Sequence, residues 1–178
     1  MMLYQMPISI TNNSADRATA ATRAANLYLS VRLQAMWSEL RSRLTGSSRQ
    51  LLSLAAVLDG RRIQGERYVG IHEVPLSQIR GSEGRSVDFD AGFLPRQDHT
   101  RGRWMSVAVA YELEMALPPV ELIQVGESYF VRDGHHRISV AKARGQTEIE
   151  ARVIRIEVAE VAGSIKPAPL GSALAQAA

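Results

Sequence analysis

The stretch from Tyr129 to Gly145, YFVRDGHHRISVAKARG, leaves this chain little freedom in how it can fold. Tyr129, Phe130 and Val131 are aromatic or β-branched and follow a turn at Gly126-Glu127, so they predict a short buried strand. Asp133-Gly134 breaks that strand. From about His136, apolar residues recur at Ile138, Val140, Ala141 and Ala143, and Gly145 is placed just past a helix C-terminus. The order is therefore strand, tight turn, helix. Asp133, Gly134, His135, His136 and Arg137 fall on the turn and the first helical residues, where unpaired amides and the positive end of the helix dipole favour an anion. Arginine adds a rigid fork of donors suited to a phosphate. A purely structural alternative has Asp133 and His136 capping the helix; the anion logic favours a phosphate-binding turn.

The flanking segments suggest the rest of an α+β domain. Tyr68 to Val74 reads as a first strand and Pro75 to Ile79 as a turn of helix, followed by a flexible charged loop, Gly81-Ser82-Glu83-Gly84-Arg85. Phe89 to Arg103 contains Gly92, Pro95 and Gly102 and reads as a long irregular loop. Trp104, Val107, Ala108, Tyr111 and Met115 mark a helix that ends before Pro118-Pro119, with Trp104 as a core anchor rather than a base-stacking residue. Val120 to Val125 is the strand that turns at Gly126 into Tyr129 to Arg132. Thr147 to Glu157 alternates Ile149, Ala151 and Val153 with Glu148, Glu150 and Arg152, a half-buried strand. From Gly163 onward, small residues and prolines predict disorder.

The N-terminal third is of another character. Ser14 is a candidate helix cap, and from Ala15 to about Leu44 there is neither Gly nor Pro. Leu29, Leu33, Met36, Leu40 and Leu44 line one face of this long helix. A second helix is expected from about Arg49 to Leu58, giving a helical hairpin that the short linker Arg61 to Gly65 connects to the rest of the chain. The expected division is thus residues 1–62 as hairpin, 63–160 as the main domain and 161–178 as a disordered tail.

Charge follows the same division. Residues 1–62 hold eight arginines against three acids, whereas the remainder holds thirteen bases against fifteen acids. The basic character therefore belongs to the hairpin, with Arg17, Arg23, Arg32, Arg41, Arg43 and Arg49 on or near it. It offers a surface for DNA or another acidic partner, or a solvated face whose leucine stripe packs on the main domain or on a second copy. The chain has no cysteine, which excludes disulfides and thiolate metal sites. His135 and His136 are adjacent and diverge on a helix, so they do not form a chelating pair, and no metal site is expected. No apolar run approaches the roughly 20 residues that span a bilayer, so no membrane association and a cytoplasmic location are expected.

Gly134-His135-His136-Arg137, with a strand before it and a helix and Gly145 after it, resembles the signature turn of the ParB/sulfiredoxin superfamily. Partition proteins carry a Gly-Glu-Arg-Arg form, sulfiredoxins Gly-Cys-His-Arg, and serine-phosphorylating relatives Asp-Gly-x-His-Arg. The resemblance extends through Leu117-Pro118-Pro119-Val120 to Ile71–Arg85 and covers roughly residues 68–157. It implies a mixed sheet with packed helices and a nucleotide held by Arg85, Gly134, His135, His136 and Arg137. Mg2+ is a candidate companion ion of that nucleotide, not something the resemblance fixes. It also implies Glu83 as the base of a phosphotransfer, the plainer reading being a solvent-facing loop acid. Apart from the resemblance, Asp133 is a candidate acid–base partner of Glu83 if the fold brings the two together. His135 stands where sulfiredoxins carry their reactive sulfur, which excludes their reaction. The partition proteins' helix-turn-helix and Glu-Asn-Leu-Gln-Arg motif have no counterpart. The expectation is a nucleotide- or phosphate-binding domain with hydrolysis or phosphotransfer as its enzymatic extension. The alternative is a non-enzymatic DNA- or protein-interaction module, and a homodimer through the leucine stripe is a third reading.

Overall fold

The computed structural model describes residues 14–46, 50–84 and 87–160. Arg85, Arg49 and the expected tail at 161–178 lie outside them. The chain adopts an α+β fold in which one mixed six-stranded sheet carries helices on both faces. In chain order the elements are α1 (Ser14–Thr45), β1 (Leu52–Ser53), α2 (Leu54–Leu58), β2 (Arg61–Pro75), β3 (Ile79–Ser82), α3 (Arg101–Glu112), β4 (Val120–Val125), β5 (Ser128–Asp133), α4 (His135–Ala143) and β6 (Glu148–Glu160). Single turns of 3-10 helix at Leu76–Gln78 and Asp98–Thr100 precede β3 and α3. The strand order is β1-β3-β5-β4-β6-β2. Strands β1, β3 and β5 run parallel, β4 forms an antiparallel hairpin with β5 and runs parallel to β6, and β2 closes the far edge antiparallel to β6.

The expected elements from Val120 to Gly145 fall into place. Strand β5 is central, so Tyr129, Phe130 and Val131 are buried on both faces of the sheet, as an unbroken apolar run requires. Helix α4 stops where Gly145, at φ 75°, takes the left-handed conformation. The Gly145 amide donates to Lys142 and that of Gln146 to Ala141, which satisfies two of the last helical carbonyls.

Alternation along the strands divides the core. Val120, Leu122, Tyr129, Val131, Ala151 and Val153 face α4 through Ile138 and Ala141, whereas Ile123, Val125, Phe130 and Ile156 face Leu54 of α2. The outer side of α4 presents Val140 to a second cluster with Trp104 and Ala108 of α3 and Ala24, Tyr28 and Val31 of α1. Trp104 is fully buried, donates its indole N–H to Ser139 Oγ at 2.9 Å, and meets the Tyr28 ring edge-on at 5.2 Å. It is the core anchor expected from its residue type.

Three local expectations need correction. The segment expected as a second helix supplies only five helical residues, because Leu52 and Ser53 join the sheet beside β3 and Leu51 and Leu54 enter the core; a single long helix, not a helical hairpin, leads the chain. The linker expected at Arg61–Gly65 is the start of β2, paired with the end of β6 from Arg61↔Glu160 onward. The loop expected at Gly81-Ser82 is the end of β3. There Gly81 lies so close to β1 that a Cβ would stand 2.3 Å from the Leu52 carbonyl and 2.6 Å from the Phe130 ring. Such a contact reads in sequence as a loop glycine, although it marks close backbone approach.

Candidate functional site

Strands β3 and β5 are parallel neighbours, so their C-terminal ends bring residues some fifty positions apart to one edge. Ser82 pairs with Val131, and the Glu83 amide donates to the Val131 carbonyl at 3.0 Å. The chain leaves β5 through Asp133 and Gly134 and enters α4 directly. Gly134 is the N-cap, at φ 99°, and its carbonyl accepts the first helical hydrogen bond from Ile138 at 3.0 Å. A Cβ here would stand 2.5 Å from Val120 Cγ1, so both the dihedral and the space require glycine. Having no side chain, the residue leaves the first helical amides without a cap of its own.

A cleft of about 300 Å3 opens at this helix start, lined by Arg103, Pro118, Gly134, His135, His136 and Arg137 among others. The turn residues thus share one cavity, as their order in the chain predicts. Arg137 is placed differently from a fork that simply faces a ligand. One of its terminal nitrogens donates to the carbonyls of Pro118 and Pro119, and the other to Asp133 Oδ2 at 2.7 Å. Prolines cannot donate to a sheet ladder, and here their carbonyls dock the segment before β4 onto the turn. Three of the five guanidinium donors are thus committed to the protein, and the side chain is only 12% exposed. Arg137 lines the cleft, and two of its donors make no hydrogen bond among the described residues.

The two histidines also face inward. His135 is hydrogen-bonded to Ser82 Oγ at 2.7 Å and stacks on Phe89 with ring centroids 5.9 Å apart; His136 meets the same ring edge-on at 5.3 Å. A serine hydroxyl against an imidazole is the pairing that activates nucleophiles in many enzymes. Here Ser82 is 1% and His135 5% exposed, so the pair is buried beneath the cleft and joins the end of β3 to the start of α4.

The expected carboxylates are each held by an arginine. Glu83 makes a bidentate pair with Arg132, 3.0 Å from Nε and 3.2 Å from a terminal nitrogen, and this bond raises the Arg132 pKa further above its ordinary value. Asp133 pairs with Arg137 and is largely exposed. The structure therefore joins Glu83 to Arg132 and Asp133 to Arg137, not the two carboxylates to each other. Among the described residues no group of three or more His, Cys, Asp or Glu is placed to hold a metal ion.

Sequence reasoning did not assign Ser82, Arg103, Arg132 or Phe89 to this region. Ser82 and Arg132 reach it through strand pairing, which leaves no local mark. Phe89 reaches it because the 87–97 segment folds tightly around Asp90, whose Oδ1 accepts from the amides of Gly92 and Leu94 at 2.8 and 2.9 Å. Arg103 was visible only as one charge in an apparent loop. It sits on α3, which starts three residues earlier than the apolar pattern indicates.

The N-terminal arginines are partly engaged. Arg23 lies 3.7 Å from Glu112, Arg32 donates to the Pro95 carbonyl at 3.2 Å, and Arg43 pairs with Glu39 at 2.8 Å. Among the described residues no helix is long and apolar enough to cross a membrane.

No protein-family model and no curated protein matches this chain. Among solved structures, sulfiredoxin from Arabidopsis thaliana is similar over 47% of this chain and 82% of its own, with 20% sequence identity and a TM-score of 0.36. At that level the likeness defines neither a family nor an activity.

Proposed function

We propose that this protein is a ParB-like phosphate-binding domain that takes a nucleoside phosphate, with the phosphate seated at the start of α4. The observation that carries the reading is the cleft at that helix start, walled by Arg103 and Arg137 and floored by the Gly134 turn. Backbone amides and the helix dipole favour negative charge there, and a cavity of that size suits a phosphate with part of its substituent. The Asp-Gly-His-His-Arg turn, similar to that of the serine-phosphorylating relatives, points the same way. The residues fit a phosphate better than a metal. The nearest carboxylates are bound to arginines, so a Mg2+ ion would be one carried by the nucleotide's own phosphates. Hydrolysis or phosphotransfer would further require Glu83 to exchange Arg132 for the reacting water or hydroxyl.

Binding of this kind stabilises the native state. At a hundredfold excess over the dissociation constant, ADP, ATP or inorganic phosphate adds about 2.7 kcal/mol, a rise of about 5–10 °C in melting temperature for a chain of this size. Arg103→Glu removes that rise without disturbing the fold, because Arg103 is exposed. It is a cleaner probe than Arg137→Ala, which also releases the Pro118-Pro119 segment. No shift with any of the three ligands, or an undiminished shift in Arg103→Glu, would overturn the assignment. The alternative, DNA held by the arginines of α1, has less in its favour, since Arg23, Arg32 and Arg43 already bond within the protein.

A further inference from the structure

Helix α1 has two apolar faces, and the fold uses one. Ala20, Ala24, Tyr28, Val31 and Ser38 are buried and form the side that packs toward α3 and the Asp90 loop, where Ser38 donates to Asp90 Oδ2 at 3.2 Å. At 100° per residue these positions centre on the side of the helix opposite a second set: Leu29, Leu33, Met36, Trp37, Leu40 and Leu44. That set lies within a stripe about 100° wide. Each of its members is between 49% and 80% exposed, Trp37 at 67%. The leucine stripe, expected to pack on the main domain or on a second copy, points away from the domain, and no described element covers it. Monomeric proteins rarely leave a contiguous apolar patch of this extent bare.

The order of the stripe specifies its occupant. Read from either end it is the same: spacings of four, three, one, three and four residues, with the midpoint between Met36 and Trp37. A two-fold axis through that midpoint, relating two antiparallel copies of α1, places Leu29 opposite Leu44, Leu33 opposite Leu40, and Met36 opposite Trp37. Self-complementarity about an axis is the requirement of an isologous interface, in which one patch meets its own copy. The six side chains expose on the order of 800 Å2 per chain, close to what each partner brings to a standard interface. We infer that the protein forms a two-fold symmetric dimer through antiparallel pairing of α1, independent of any ligand at the α4 cleft.

The test uses the full chain. Sedimentation or light scattering should give twice the 19.6 kDa of one chain, and Leu33→Asp with Leu40→Asp should halve that mass while retaining the cooperative melt, since both residues are exposed in the single chain. The chain has no cysteine, so single replacements report the pairing directly. Met36→Cys should oxidise to a covalent dimer. Leu29→Cys alone should not, because antiparallel pairing sets the two copies of that residue about 22 Å apart along the axis at 1.5 Å per residue. Mixing Leu29→Cys with Leu44→Cys should restore the crosslink. A monomer at all concentrations, including one whose stripe is covered by its own residues 161–178, would overturn the inference. Self-crosslinking of Leu29→Cys, the mark of parallel pairing, would do the same.

Discussion

Lys142 illustrates how a single residue can carry a pH dependence that its place in the sequence conceals. It lies in the last turn of α4, where a cation complements the helix dipole, and its ammonium sits 4.6 Å from the centroid of the Phe93 ring. Burial holds its pKa below the ordinary lysine range; the charge of Asp90 pulls it back up and that of Arg80 pushes it further down. In the interval between the lowered folded value and 10.5, the unfolded chain keeps a proton that the folded chain gives up. Stability contributed at this site therefore rises as pH rises through that interval, and is lowest where both states are protonated. Lys142→Met removes the effect. The difference in urea midpoint between wild type and Lys142→Met should move in favour of wild type from neutral pH to about pH 10, within the interval below the ordinary lysine value. A difference that stays constant, or moves the other way, would contradict the assignment. Arg137 carries a related lesson. Its position in the first turn of α4 was legible, but its use of Pro118 and Pro119 as partners depends on a segment eighteen residues upstream folding back to meet it.

At the level of elements, the seam between β1 and β3 is the part of the sheet most dependent on one atom's absence. Gly81 stands where a Cβ would meet backbone oxygen on one side and the Phe130 ring on the other, neither of which can swing aside cheaply. Gly81→Ala should therefore cost about 1–3 kcal/mol, the range for forcing an extra methyl into a packed site. The loss should be local at first, with amide exchange in β3 quickening while the β4–β5 hairpin keeps its protection. Uniform quickening across all strands, or wild-type stability, would show that the seam does not have this role. Helix α1 makes the complementary point. Its heptad-like leucines were the plain signal in the sequence, yet the domain is held by the less conspicuous alanines and Tyr28, which fit closely against Trp104. Small residues allow that close approach; large ones are left to face outward.

For the whole molecule, the fold places the two proposed binding surfaces apart. The cleft lies at the C-terminal end of β5 and the start of α4, bordered by α3 and the segment before β4, whereas the bare stripe lies on the side of α1 turned away from α3. If both proposals hold, the monomeric Leu33→Asp, Leu40→Asp variant should give the same nucleotide-induced rise in melting temperature as the wild type, and Arg103→Glu should remain a dimer. Loss of ligand response on splitting the dimer would mean that the partner copy completes the site. The strand-turn-helix at Tyr129–Gly145 and the β4–β5 hairpin were readable from residue order, because each depends on contacts within a few positions: period, turn and breaker. The burial of Trp104 was readable from its residue type, although its partners Tyr28 and Ser139 are distant in sequence. The strand character of Ser82, the pairing of Glu83 with Arg132 rather than with Asp133, and the outward aim of the leucine stripe were not. Those were settled by which distant strands lie side by side and which face of a long helix found a partner. Such choices arise from packing summed over the whole chain, and no short window of sequence contains that sum.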